Sequence, residues 1–107
     1  MAFSETYPGS ITGTTQLYGI MGHPVAHSLS PVMQTFAFRH HQLDCVYMPF
    51  PVAPSRLAQA VRGTIALGVR GFNVTIPHKE AIMSYIDEVA AEAQAIGAVN
   101  TVHVQDG

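Results

Sequence analysis

Lys79 is the one lysine of the chain; the other four basic residues, Arg39, Arg56, Arg62 and Arg70, are arginines. Arginine keeps its proton across the ordinary pH range, whereas a lysine amine can be tuned to release it. Lys79 stands in NVTIPHKE, residues 73–80, just beyond an apolar run closed by Pro77. The plain reading of that position is a solvated lysine in the first turn of a helix. A helix start, however, disfavours positive charge and so favours the neutral amine that proton transfer requires.

Two other groups of residues could bind a polar ligand. Ser28 and Ser30 flank Leu29 directly before Pro31. Serine followed by proline is a helix-start signal, which makes Ser30 a candidate N-cap. A hydroxyl both accepts and donates, so the pair could also hold a small carboxylate where helix N–H groups already favour anions. Asn73 and Thr75 alternate with Val74 and Ile76, which sets their side chains on one side of an otherwise apolar strand. Such groups need partners: water, a neighbouring loop or a ligand. Asn100 and Thr101 pose the same question, and an asparagine that donates and accepts suits an alcohol.

Other chemistries find little support. His23 and His27 have i,i+4 spacing, but Pro24 breaks any helical ligand pair, and no third ligand has suitable spacing, so no metal site is expected. No Gly-x-Gly-x-x-Gly pattern follows any strand, so no dinucleotide site is visible. The net charge of −2 provides no basic field for nucleic acid or an anionic membrane. The single Cys45 forms no internal disulfide and suits a reducing, cytoplasmic compartment. MAFSETYPGSITGTTQ, residues 1–16, lacks the basic start and apolar core of a secretory signal, and no apolar stretch is long enough to span a membrane.

The elements that must position these residues follow from periodicity. Residues 1–16 show none and are expected to form a flexible leader, with one folded domain over 17–107. Strands are expected at 17–22, 45–50, 69–76 and 98–104. The prolines at 49, 51 and 54 put the second strand near an edge. One helix is expected from Ser30, with Val32, Phe36 and His40 at four-residue steps, and Met33 and Ala37 widening the stripe. A second carries Leu57, Val61 and Ile65 and ends at Gly68. One or two more fill 78–96, with Asp87 as a cap and Gly97 as the stop, and residues 105–107 read as a turn. The alternation implies an α/β domain: an open, mostly parallel sheet flanked by helices, in which an antiparallel fourth strand would bring Asn100 to the ligand-binding edge. With 48% hydrophobic and only 11% charged residues, the domain would also leave apolar surface for another domain or subunit.

YGIMGHPVAHSLSPVMQTFAF, GFNVTIPHKE and AIGAVNTV, in this order, resemble the amino-terminal substrate-binding domain of the shikimate dehydrogenases. The resemblance covers about residues 17–107. It implies that Ser28 and Ser30 bind the substrate carboxylate, that Thr75 contacts the substrate, that Asn100 binds ring hydroxyls, and that Lys79 is both catalytic and substrate-binding. It further implies reduction of 3-dehydroshikimate to shikimate with NADP(H), bound by a carboxy-terminal cofactor domain and not by this fragment. The family's aspartate partner of the lysine lies beyond the V-N-T stretch, and Asp106 does not stand in its motif. The chain alone is therefore expected to be inactive. Two alternatives stay open: a quinate/shikimate dehydrogenase of dual specificity, and a non-catalytic ligand-binding or assembly module without a cofactor domain.

Overall fold

The computed structural model describes residues 10–105. The first nine residues of the expected leader and the end of the expected turn at 105–107 therefore lie outside the described residues. The rest of the leader carries a turn over Thr12–Thr15 and two side-chain bonds, from the Thr14 and Thr15 hydroxyls to the Asp44 carboxylate.

Strand β1 runs over Gln16–Gly22, helix α1 over Ser30–His40 and strand β2 over Cys45–Pro51. A 3-10 turn at Pro54–Arg56 leads into helix α2 at Leu57–Ala66. Strand β3 covers Gly71–Val74, a second 3-10 stretch Ala81–Tyr85, helix α3 Ala91–Ile96 and strand β4 Thr101–His103. The four strands form one sheet in the order β2-β1-β3-β4. β1 is parallel to both neighbours, and β4 is antiparallel to β3 with Asn73 opposite Thr101. The open, mostly parallel sheet and its antiparallel strand are thus present, and the proline-rich β2 is an edge strand whose missing N–H groups interrupt no central ladder.

β3 is shorter than expected because α2 closes over residues 68–69 before it and the chain turns at Pro77 soon after it. Gly68 takes φ +75°, and the Val69 N–H returns to the Thr64 carbonyl at 2.9 Å, closing α2 in a left-handed cap. At the far end Thr75 gives its N–H to Met21 O at 2.9 Å, and the chain turns through Pro77. The core lies on the α2 side of the sheet, where Met21, Phe72 and Val74 meet Leu57, Val61, Ile82 and Val99. Ile65 is not part of it and stays exposed, its place taken by Thr64, whose hydroxyl is satisfied by Val61 O at 2.6 Å.

Three local expectations are overturned. The stripe on α1 does not face the sheet: Val32, Met33 and Phe36 are exposed and the helix has no buried residue. It packs instead through the neighbouring face, where Phe38 lies against Tyr18 with ring centroids 5.5 Å apart. Ser30 is the first helical residue and not a cap, since the first helix bond is donated by Met33 N–H to the Leu29 carbonyl. Asp87 caps nothing; α3 starts later, behind Ala90, although Gly97 does stop it at φ +81°.

Candidate functional site

The carboxyl ends of β1 and β3 are stitched into one edge by the backbone. His23 donates its N–H to Ile76 O at 3.0 Å, and Val52 donates to Gly22 O at 2.9 Å. Gly22 is required for this approach: a Cβ there would run into the Thr75 methyl and come within 2.8 Å of Val25 Cγ1. The antiparallel β4 begins at the same edge, because Val74 N–H bonds Asn100 O at 2.9 Å. All five sequence candidates belong to segments that meet here.

Ser28 and Ser30 are half-buried in the loop after β1 and at the α1 start. Ser28 Oγ accepts the Ser30 N–H at 3.2 Å, so Ser28, and not Ser30, satisfies the helix start. Accepting that bond leaves the Ser28 hydroxyl proton free to point elsewhere. Thr75 falls one residue beyond β3, half-buried over Gly22. Lys79 is exposed, in the turn before the 3-10 stretch, and its carbonyl accepts the Val99 N–H at 2.7 Å. That anchor ties the lysine's backbone to the residue preceding Asn100. The helix-dipole argument for Lys79 does not hold, because no α-helix follows it directly.

A run of side-chain bonds joins β2 to β3 and to the start of β4. The Tyr47 hydroxyl donates to Asn73 Oδ1 at 2.7 Å. Asn73 Nδ2 donates to Thr101 Oγ1 at 3.1 Å and reaches Asn100 O at 3.4 Å. Thr101 Oγ1 in turn donates to Asn100 Oδ1 at 3.1 Å. Burial pushes the Tyr47 phenol up from its ordinary value, and a hydrogen bond with the Ser30 hydroxyl offsets part of that rise. Tyr47 and Asn100 therefore stand at the two ends of one polar run. A groove of about 330 Å³ opens beside it, lined by Tyr18, Phe38, Tyr47, Asn73 and Thr101. A larger hollow of about 460 Å³ lies between Gly68, Arg70 and His103, and neither hollow is lined by Ser28, Ser30, Thr75, Lys79 or Asn100.

Two residues escape a reading of the sequence. Tyr47 lies in CVYMPFP and looks like one more apolar strand residue. The only signal was Asn73, a polar side chain on an apolar strand that needed a partner. His78 looks like one of six scattered histidines but is 1% exposed, with Nε2 on Val52 O at 2.6 Å. Among the described residues no group of His, Cys, Asp or Glu could hold a metal ion, and no helix is long and apolar enough to cross a membrane.

An open α/β sheet with polar side chains gathered at its carboxyl edge is the architecture of a small-molecule-binding domain. The family model described as the shikimate dehydrogenase substrate binding domain matches residues 20–102, and the chain belongs to this family. A shikimate dehydrogenase (NADP(+)) of Methanothermobacter thermautotrophicus is 58% identical over 97 residues, covering 91% of this chain and 34% of the relative. A crystal structure of a shikimate dehydrogenase in complex with NADP+ superposes with a TM-score of 0.89 at 50% identity, over 91% of this chain and 34% of that one. Shikimate 5-dehydrogenase of Listeria monocytogenes, solved with shikimate and NAD, gives 0.87 at 44% identity, over 90% and 33%. The chain spans about a third of the length of the curated relatives it matches.

The nucleotide of these relatives does not fit the described residues. The glycines of β1, Gly19 and Gly22, are packing positions, where a Cβ would strike the Phe50 ring and the Thr75 methyl, and they cradle no phosphate. No residue of this chain is assigned to NADP(H).

Proposed function

We propose that this chain is the substrate-binding and proton-transfer part of an NADPH-dependent shikimate dehydrogenase acting on 3-dehydroshikimate and shikimate. What supports this reading is that main-chain bonds join the segments carrying Ser28, Ser30, Thr75, Lys79 and Asn100 at one edge of the sheet. Ser28 and Ser30 hold the carboxylate through hydroxyl protons at a helix start, where free N–H groups favour an anion. Asn100 presents amide donors to ring oxygens, and Thr75 closes the cleft over Gly22. Lys79 exchanges a proton with the oxygen that alternates between ketone and alcohol. Nucleotide binding belongs to residues outside those described, and the single Cys45 fits a cytoplasmic setting.

Calorimetric titration of the protein with shikimate tests this reading, with quinate as the comparator. Saturable binding of shikimate, weakened by Ser28→Ala, is the expected result. Equal binding of both acids would favour dual specificity, and no binding of either would overturn the proposal.

A further inference from the structure

We propose that Tyr47 is a positioning residue that fixes which end of the Asn100 amide faces the ligand, an inference that rests on the substrate-binding role of Asn100 above. The hydrogen bonds run in one direction. Tyr47 O–H donates to Asn73 Oδ1, Asn73 N–H to Thr101 Oγ1, and Thr101 O–H to Asn100 Oδ1. Each member sets the polarity of the next, because a hydroxyl that accepts from one side turns its own proton to the other. The main chain enforces the same sense. A flipped Asn73 amide would bring its carbonyl oxygen against the Asn100 carbonyl, which lies 3.4 Å from Nδ2. The outcome is an Asn100 whose Oδ1 is engaged and whose Nδ2 donates to no protein group among the described residues.

Asn100 is exposed at the cleft and therefore offers donors, where its type alone would allow either polarity. Donors suit a ring oxygen in both redox states, since a ketone oxygen only accepts and an alcohol oxygen still has lone pairs to offer. A free amide would spend part of its time presenting its carbonyl to the ketone. Tyr47 suits the role of first member: it is 5% exposed, spans β1 from the edge strand, and has no second rotatable polar group.

A double-mutant cycle with Tyr47→Phe and Asn100→Ala, read by shikimate titration of the intact protein, tests this. Tyr47→Phe should weaken binding by about 3- to 10-fold, the scale of one neutral hydrogen bond. In the Asn100→Ala background the same change should cost less than about twofold, because its route is gone. An equal loss in both backgrounds would overturn the proposal and leave Tyr47 a packing residue. Should Tyr47→Phe fail to fold, Thr101→Val cuts the same relay at an exposed strand position and carries the same expectation. The side-chain amide resonances of the ligand-free protein decide independently of any ligand. Tyr47→Phe should shift the Asn100 pair as well as the Asn73 pair, and an unmoved Asn100 pair would refute the relay even if shikimate binds. Failure of shikimate to bind the unmodified protein, with the amide shifts present, would instead strike the functional reading.

Discussion

The imidazole of His78 is bonded through Nε2 to the main-chain carbonyl of Val52 at 2.6 Å, in a position 1% open to solvent. Val52 is itself held to the end of β1 through Gly22 O. The residue before Lys79 is thus latched to the strand end that lines the cleft, and its carbonyl starts the following turn by accepting Ile82 N–H at 2.9 Å. His78→Ala would leave the Val52 carbonyl without its partner and open a void. The expected loss is about 1–3 kcal/mol of stability, the scale for a buried polar group left unpaired. Urea denaturation checks it through a lowered midpoint at unchanged slope.

Gly22 and Thr75 make a second prediction. Gly22→Ala places a methyl on the Thr75 side chain, with Val25 2.8 Å away on the other side, so the strand ends must part. Overpacking of this kind costs about 1–3 kcal/mol. Because Thr75 borders the cleft, shikimate affinity should fall together with the melting temperature.

Ile82 marks the cost of the core. It is fully buried and closes the α2 side of the sheet against Phe72 and Val74. Ile82→Ala should destabilise the domain by about 2–5 kcal/mol, as large-to-small core changes do. Phe36→Ser on the exposed face of α1 should change stability by less than about 0.5 kcal/mol. Thermal melts of the two variants side by side check the contrast.

The raised Tyr47 phenol gives a pH dependence with a definite sign. Burial is its cause, and the fold prefers the protonated form. An unfolded chain then releases this proton at the ordinary tyrosine value, 10.0, while the folded one retains it. The contribution to stability is complete below that pH and is lost as pH rises through the folded value. Alkaline denaturation followed by tyrosinate absorbance should show a late-titrating component that Tyr47→Phe removes.

How much of this was legible in the sequence depends on the kind of signal. The α/β alternation, the edge position of β2 and the glycine stops at Gly68 and Gly97 follow from local backbone chemistry, which a sequence displays directly. The orientation of α1 was not legible. Val32, Met33 and Phe36 have the spacing of a core stripe, yet that face is exposed and Phe38 makes the contact with Tyr18. Periodicity identifies a face without saying what covers it. Ser30 looked like a cap because Ser-Pro starts helices, but the Ser28 hydroxyl, two residues earlier, takes the Ser30 N–H. The run from Tyr47 through Asn73 to Asn100 joins three strands, and no local pattern encodes a contact between residues 26 and 27 positions apart.

The role of Lys79 is tested most directly by turnover. In a chimera where this chain replaces the matching third of the Methanothermobacter thermautotrophicus enzyme, shikimate oxidation is measured for Lys79 and for Lys79→Ala. Lys79 is exposed, so the variant should fold, and turnover is compared at saturating shikimate. Turnover should drop by about 10²–10⁴-fold, the range for losing a general acid–base group. Turnover within a factor of about two of the parent, with the chimera otherwise active, would contradict the assignment of proton transfer to this amine.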